Sequence, residues 1–158
     1  MRVSVLAVGT KMPDWVTDGT LEYTRRMPRQ IQIGIEEIPS GQRNARGRVA
    51  AAREQEAVLL RKKAASADLK IVLDERGRSW TSMELAEQLR GWLREVPHVA
   101  MMVGGPDGFT DDIRDEADRL WSLSGLTLPH GLVRVVLAEQ LYRAWTIIDG
   151  HPYHRRGR

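Results

Sequence analysis

Apolar runs of strand length alternate with helical stretches along the whole chain, with no linker or internal repeat between them. RVSVLAVG at residues 2–9 is apolar and β-branched, as a buried strand requires. IQIGIEEI at 31–38, KIVLD at 70–74 and VAMMVGG at 99–105 follow, and LTL at 126–128 is a short fifth candidate. Asp14 reads as the cap of a helix running to about Met27, before Pro28. A second helix, rich in alanine and charge, is expected over roughly 44–66. Gly77 marks a turn beyond the third strand, and Thr81 or Ser82 opens a helix reaching about Glu95. Thr110 starts a short acidic helix, and the last helix spans about Leu132 to Asp149. Such alternation dictates an α/β fold, a mostly parallel sheet with helices on both faces. The 158 residues make one domain, 1–158, large enough for a real core.

In sheets of this kind ligands lie beyond the carboxyl ends of the strands. Leu73 and Asp74 end the third strand, Gly104 and Gly105 the fourth, and the fifth adjoins residues 123–129. Two readings of these edges stay open. One is a pair of ordinary turns. The other is a pocket built from backbone, where Gly104, Gly105 and Gly108 admit a ligand and Ser122, Ser124, Gly125 and Thr127 add small polar contacts. On the second reading, a bulky residue at Gly105 blocks the ligand and leaves the fold intact.

Several chemistries lack their motif. No GxGxxG joins the first strand to the first helix, and no GxxxxGK[ST] or GxSxG occurs. The histidines at 98, 130, 151 and 154 form no HExxH, and no metal site is expected. Absence of cysteine removes disulfides and thiolate chemistry and fits a cytoplasmic protein. No apolar run is long enough for a membrane span, and the N-terminus lacks the pattern of a signal peptide. The formal charge is only +3, but it is clustered. Arg25, Arg26 and Arg29 lie together, as do Arg43, Arg46, Arg48 and Arg53, then Arg61, Lys62 and Lys63, and finally His154, Arg155, Arg156 and Arg158. Each cluster alone is an ordinary solvated face. Together, and with arginine far in excess of lysine, they favour a phosphate-rich partner such as RNA.

Words of the sequence then add to this reading. GGPDG, WSLSGLTLPH, LVRV, EQLYRAW and the terminal HPYHR resemble the RlmH family, as do LAVGTKMPDW near the start and IPSGQR at 38–43. These are SPOUT-superfamily methyltransferases of bacterial large-subunit ribosomal RNA, and the resemblance covers essentially the whole chain. It implies a SPOUT-type fold whose C-terminal segment threads a loop to make a deep trefoil knot, over about residues 70–150, followed by a basic tail at 151–158. It implies S-adenosylmethionine held by Leu73, Asp74, Gly104, Gly105, Leu123, Ser124, Gly125, Leu126, Thr127, Leu128 and Pro129. The implied reaction is methylation of N3 of a pseudouridine in 23S ribosomal RNA, on the large subunit or the assembled ribosome. The implied assembly is a homodimer with active sites where subunits meet.

Apolar residues surround the last helix almost entirely, so it is buried in a core or against a partner, and Trp145 and Leu141 are its candidate interface residues. Glu139 and Arg143, four apart, form either an intrahelical ion pair or part of a site. His154 is either a mobile terminal residue or the group that accepts the N3 proton, with Arg155 or Arg143 stabilising the resulting charge. Tyr142 and Tyr153 are expected to position the base by stacking. Two other classes remain: a SPOUT enzyme for a different RNA nucleotide, and a non-catalytic ribosome-binding module. The SGLTLPH and HPYHR segments speak against the module, since a pure binder needs no cofactor pocket.

Overall fold

The computed structural model describes residues 1–43 and 48–155. Arg46 and the terminal Arg156, Gly157 and Arg158 lie outside the described residues. Five strands, β1 (Arg2–Val8), β2 (Gln32–Ile38), β3 (Leu69–Ser79), β4 (His98–Val103) and β5 (Arg119–Ser122), form one sheet in the order β2-β1-β4-β3-β5. Every pairing is parallel. The helices are α1 (Asp14–Thr24), α2 (Arg48–Ala64), α3 (Ser82–Glu95), α4 (Asp111–Glu116) and α5 (His130–Asp149), and a 3₁₀ turn covers Pro152–Arg155. No described helix is long and apolar enough to cross a membrane.

The period of two sorts the core into two layers. Val3, Val5 and Ala7 of β1 join Met101 of β4 against Leu85 and Leu89 of α3 and Leu137 and Leu141 of α5. Leu6 and Val8 face the other way, with Met102, onto Ala57 and Leu60 of α2 and Ile113 of α4. Helices therefore cover both faces, and α5 packs between α1 and α3.

Local chemistry moves several boundaries from where the sequence places them. Asp14 is the first residue of α1 rather than its cap: Pro13 takes the cap position, where its missing N–H leaves nothing unsatisfied. That helix stops at Thr24. Thr81 caps α3 with a reciprocal box, its hydroxyl accepting from the Glu84 N–H while the Glu84 carboxylate accepts from the Thr81 N–H. The largest differences are at the edge formed by β3 and β5. Gly77 is no turn; it lies within β3, where the pairing to β5 shifts register between Leu73 and Arg78. A Cβ there would sit 2.5 Å from the backbone of Leu120 and Trp121, so only glycine lets the strands close again after the bulge.

LTL at 126–128 is not a strand, and β5 is RLWS instead. Ser124 explains why: its hydroxyl accepts from the Leu126 N–H at 2.9 Å, and its carbonyl accepts from the Ser122 hydroxyl at 3.0 Å. These local bonds hold a turn in place of a ladder. Trp121 is buried, whereas Leu126 is 77% exposed.

Candidate functional site

A cleft of about 540 Å³ opens at the carboxyl edge of the sheet, in the size range of small-molecule sites. The bulge of β3, the turn after β4 and the loop after β5 converge on it. Its lining includes Leu73, Asp74, Gly104, Gly105, Leu123, Ser124, Leu126, Thr127, Leu128 and Pro129. Ten of the eleven residues that the resemblance assigns to the cofactor are thus brought together. Gly125 is absent from this wall and exposed.

The turn after β4 is Gly105-Pro106-Asp107-Gly108, closed by the Gly108 N–H donating to the Gly105 carbonyl at 3.1 Å, with Gly108 at φ +71°. Gly104 and Gly105 are required by packing as well as by access. A Cβ on Gly104 would meet the Phe109 ring at 3.1 Å, and one on Gly105 would meet Val8 at 3.0 Å. Val8 is a core residue, so a bulky substitution at Gly105 strains the fold itself and cannot serve as a clean block of the ligand.

The cleft lining mixes apolar and charged groups. Val103, Trp121, Leu123, Leu126, Leu128 and Pro129 supply an apolar wall. Besides the exposed Glu75 and Arg76, the same lining carries Arg53, Asp74, Asp107 and Arg114; Asp74 was expected there from the sequence, and the other three were missed. Most of these charges are mutually satisfied. Asp74 accepts from Arg114 Nε at 2.8 Å and from the Arg76 N–H at 2.9 Å. Arg114 also reaches Asp111 at 3.1 Å, so α4 is tied to the end of β3. Arg43, in the IPSGQR segment, donates to both oxygens of the buried Glu56 at 2.7 and 3.1 Å and to Asp107 at 2.6 Å. That segment thereby fastens α2 to the glycine turn, and the two carboxylates hold the Arg43 pKa above its ordinary value.

Burial pushes the Asp74 carboxyl upward, but the Arg114 and Arg76 hydrogen bonds outweigh it, leaving its pKa below the usual carboxylate value. A depressed folded-state pKa contributes stability present above the unfolded value near about 3.9 and lost as pH falls through the folded value. Asp74→Asn is therefore expected to cost about 2 kcal/mol at pH 6 and much less at pH 2, as measured by denaturant unfolding at both.

α5 begins at the cleft, where His130 and Val133 line it. Arg134 is 3% exposed and fixes this turn to the sheet. It donates to Glu37 at 2.7 Å and to the carbonyls of Gly9 at 2.8 Å and Val8 at 3.4 Å. At 1.5 Å per residue the helix is about 30 Å long, so the tail starts far from the cleft at which α5 begins.

The five residues expected to act on the base gather at that other end. Tyr153 donates its hydroxyl to Glu139 at 2.9 Å, and Arg143 donates to the same carboxylate at 2.6 and 3.0 Å. The Arg143 guanidinium stands 5.1 Å from the centre of the Tyr153 ring, and the Tyr142 ring meets Tyr153 edge-on at 4.8 Å. Burial, then the Glu139 carboxylate, raises the Tyr153 pKa, so this hydroxyl stays protonated. The Glu139–Arg143 pair is thus both an intrahelical ion pair and the clasp of the tail. Tyr142 is buried beneath Tyr153. His154 is half-buried, its Nδ1 without a hydrogen-bond partner among the described residues, and Arg155 is exposed. None of Tyr142, Arg143, Tyr153, His154 and Arg155 lines the cleft of its own chain. No group of metal-ligating side chains occurs among the described residues.

This parallel sheet, with a helix returning from its edge to pack behind its centre, has the architecture of known methylase domains. A protein of Haemophilus influenzae described as "a probable methylase family protein" aligns with a TM-score of 0.61 at 12% identity, over 96% of this chain and 69% of that one. A "Probable Methyltransferase" of Bordetella pertussis aligns at 0.58 and 19% identity, over 90% and 93%. One from Legionella pneumophila, solved with bound SAM, aligns at 0.53 and 12% identity, over 92% and 66%. These likenesses concern the fold. The chain belongs to the SPOUT methyltransferase family, whose profile, described as "Predicted SPOUT methyltransferase", matches residues 1–154. Proteins named "Ribosomal RNA large subunit methyltransferase H" from Hahella chejuensis and Burkholderia cenocepacia (strain HI2424) are 47% and 48% identical to it, over 98% of this chain and 99% of theirs.

Proposed function

We propose that this chain methylates N3 of a pseudouridine in large-subunit ribosomal RNA, using S-adenosylmethionine, as a homodimer in the cytoplasm. The observation that carries the reading is the cleft, where the β3 bulge, the glycine turn and the 123–129 loop meet. Its size, its apolar wall for an adenine ring and its backbone-rich rim fit the cofactor. The names of the near full-length relatives support ribosomal RNA as the substrate. We read the passage from β5, at the sheet edge, into α5, behind the sheet centre, as the trefoil crossing of about residues 70–150, within a single domain.

S-adenosylmethionine supplies an electrophilic methyl group when bound. The chain's own residues must align the ring nitrogen with it and ease away the N3 proton. His154 accepts that proton, and Arg155 or Arg143 stabilises the negative charge left on the base. Tyr153 and Tyr142 hold the tail in place for this task.

A dimer resolves the distance between tail and cleft by setting the tail of one protomer over the cleft of its partner. Trp15 on α1 is 56% exposed and Leu21 is 37% exposed, next to an α5 whose Val136, Trp145 and Ile148 remain half-exposed. Such a patch needs a cover. Leu141 is only 1% exposed and belongs to the chain's own core, so Trp15 and Trp145 are the informative positions. Trp15→Asp with Trp145→Asp is expected to give a folded, inactive monomer by sedimentation, and an active monomeric wild type would refute the shared site. Mass spectrometry of ribosomal RNA from cells with and without the gene tests the reaction, the expected change being loss of N3-methylpseudouridine.

A further inference from the structure

Arg53 stands apart from the other charges of the cleft. It rises from α2 into the cleft lining, half-buried, and its only hydrogen bond among the described residues is a long one, from Nη1 to the Phe109 carbonyl at 3.5 Å. Its Nε is buried and has no partner among the described residues. The carboxylates that would neutralise it are already engaged. Glu56, three residues on and on the same helical face, gives both oxygens to Arg43, Asp107 is bonded by Arg43 as well, and Asp74 is held by Arg114. A partly desolvated guanidinium with an unsatisfied N–H is unfavourable unless an anionic oxygen completes it.

We propose that Arg53 binds the carboxylate at the amino-acid end of the nucleoside cofactor. This rests on the reading of the cleft as the S-adenosylmethionine site. The apolar residues of the lining take the ring, and the Nε of Arg53, without a partner among the described residues, directs the zwitterionic end toward α2. A carboxylate delivered inside the cleft reaches the buried Nε, whereas an RNA phosphate passing over the surface meets the exposed arginines first. Arg53 is thus a binding residue that discriminates a nucleoside carrying an amino acid from one without it.

The test is calorimetry with two nucleosides, S-adenosylhomocysteine, which keeps the carboxylate, and 5′-methylthioadenosine, which lacks the whole amino-acid end. Wild-type protein is expected to bind the first more tightly. Arg53→Ala is expected to weaken S-adenosylhomocysteine about tenfold or more, as befits a charge-assisted bond, and to leave 5′-methylthioadenosine unchanged. Arg53→Lys restores part of the loss through a single point of charge. Equal weakening of both ligands would make Arg53 a structural residue and overturn the proposal. So would unchanged S-adenosylhomocysteine binding with reduced RNA affinity, which assigns Arg53 to a phosphate. A folded wild type that binds neither nucleoside, with or without RNA, would instead overturn the reading of the cleft, and the proposal with it.

Discussion

Deleting residues 154–158 is expected to lower single-turnover methylation by about 10²–10⁴-fold with RNA and cofactor saturating, the range typical of losing a positioned general base. Cofactor binding should persist, because no described residue of the tail lines the cleft of its own chain. Of the described residues it removes, His154 is half-buried and Arg155 exposed, so stability should change by about 0.5 kcal/mol or less. Tyr153 stays clasped to Glu139 in this variant, which separates the chemistry of His154 from the anchoring of the tail. The buried Nδ1 of His154, without a partner among the described residues, strengthens the expectation. A polar atom left unsatisfied costs about 1–3 kcal/mol and persists where function needs it. His154→Ala should reproduce most of the rate loss with little change in RNA affinity. Loss of the basic residues alone should weaken RNA binding and flatten its salt dependence. A truncated protein that methylates at the wild-type rate would leave His154 a bystander.

The architecture was readable because its determinants are local and periodic. Four of five strands and all five helices follow from apolar spacing, and the convergence of strands three and four on a cleft follows from parallel topology. The misplaced fifth strand was not readable in the same way. Ser122 and Ser124 decide it through side-chain bonds, which hydrophobic pattern does not register. Gly77 was legible as special but not as a bulge, since its constraint is the backbone of Leu120, over forty residues away. The residues proposed for the cofactor were reached through the words GGPDG and SLSGLTLP. Asp74, at the end of strand three, was expected at the cleft as well, whereas Arg53 and Arg114 were not, because they come from two other elements, α2 and α4. Arg134 and Glu139 were visible as charges on an apolar helix. Their partners, Glu37 and Tyr153, are contacts that only the folded chain reveals.

Arg134→Met is expected to damage the fold, lowering stability by about 1–3 kcal/mol in denaturant unfolding, the cost of leaving buried acceptors unsatisfied. The side chain is buried, and its donors satisfy Glu37 and the carbonyls at the end of β1. Methionine keeps much of the volume but leaves those acceptors without their donor, so the cost is electrostatic rather than a cavity. The consequence extends to the cleft. Pro129, His130 and Val133, which line it, sit within one turn or so of Arg134 on the same segment. Once that turn is no longer fixed to β1, the 123–129 loop loses its anchor, and cofactor affinity should fall together with stability. Glu37→Gln should be much milder, because Glu37 is 40% exposed and an amide oxygen still accepts from Arg134. A melting curve and a cofactor titration on both variants check the argument. If Arg134→Met were as stable as wild type, the clamp between α5 and β1 would be dispensable, and something else would have to hold the cleft closed.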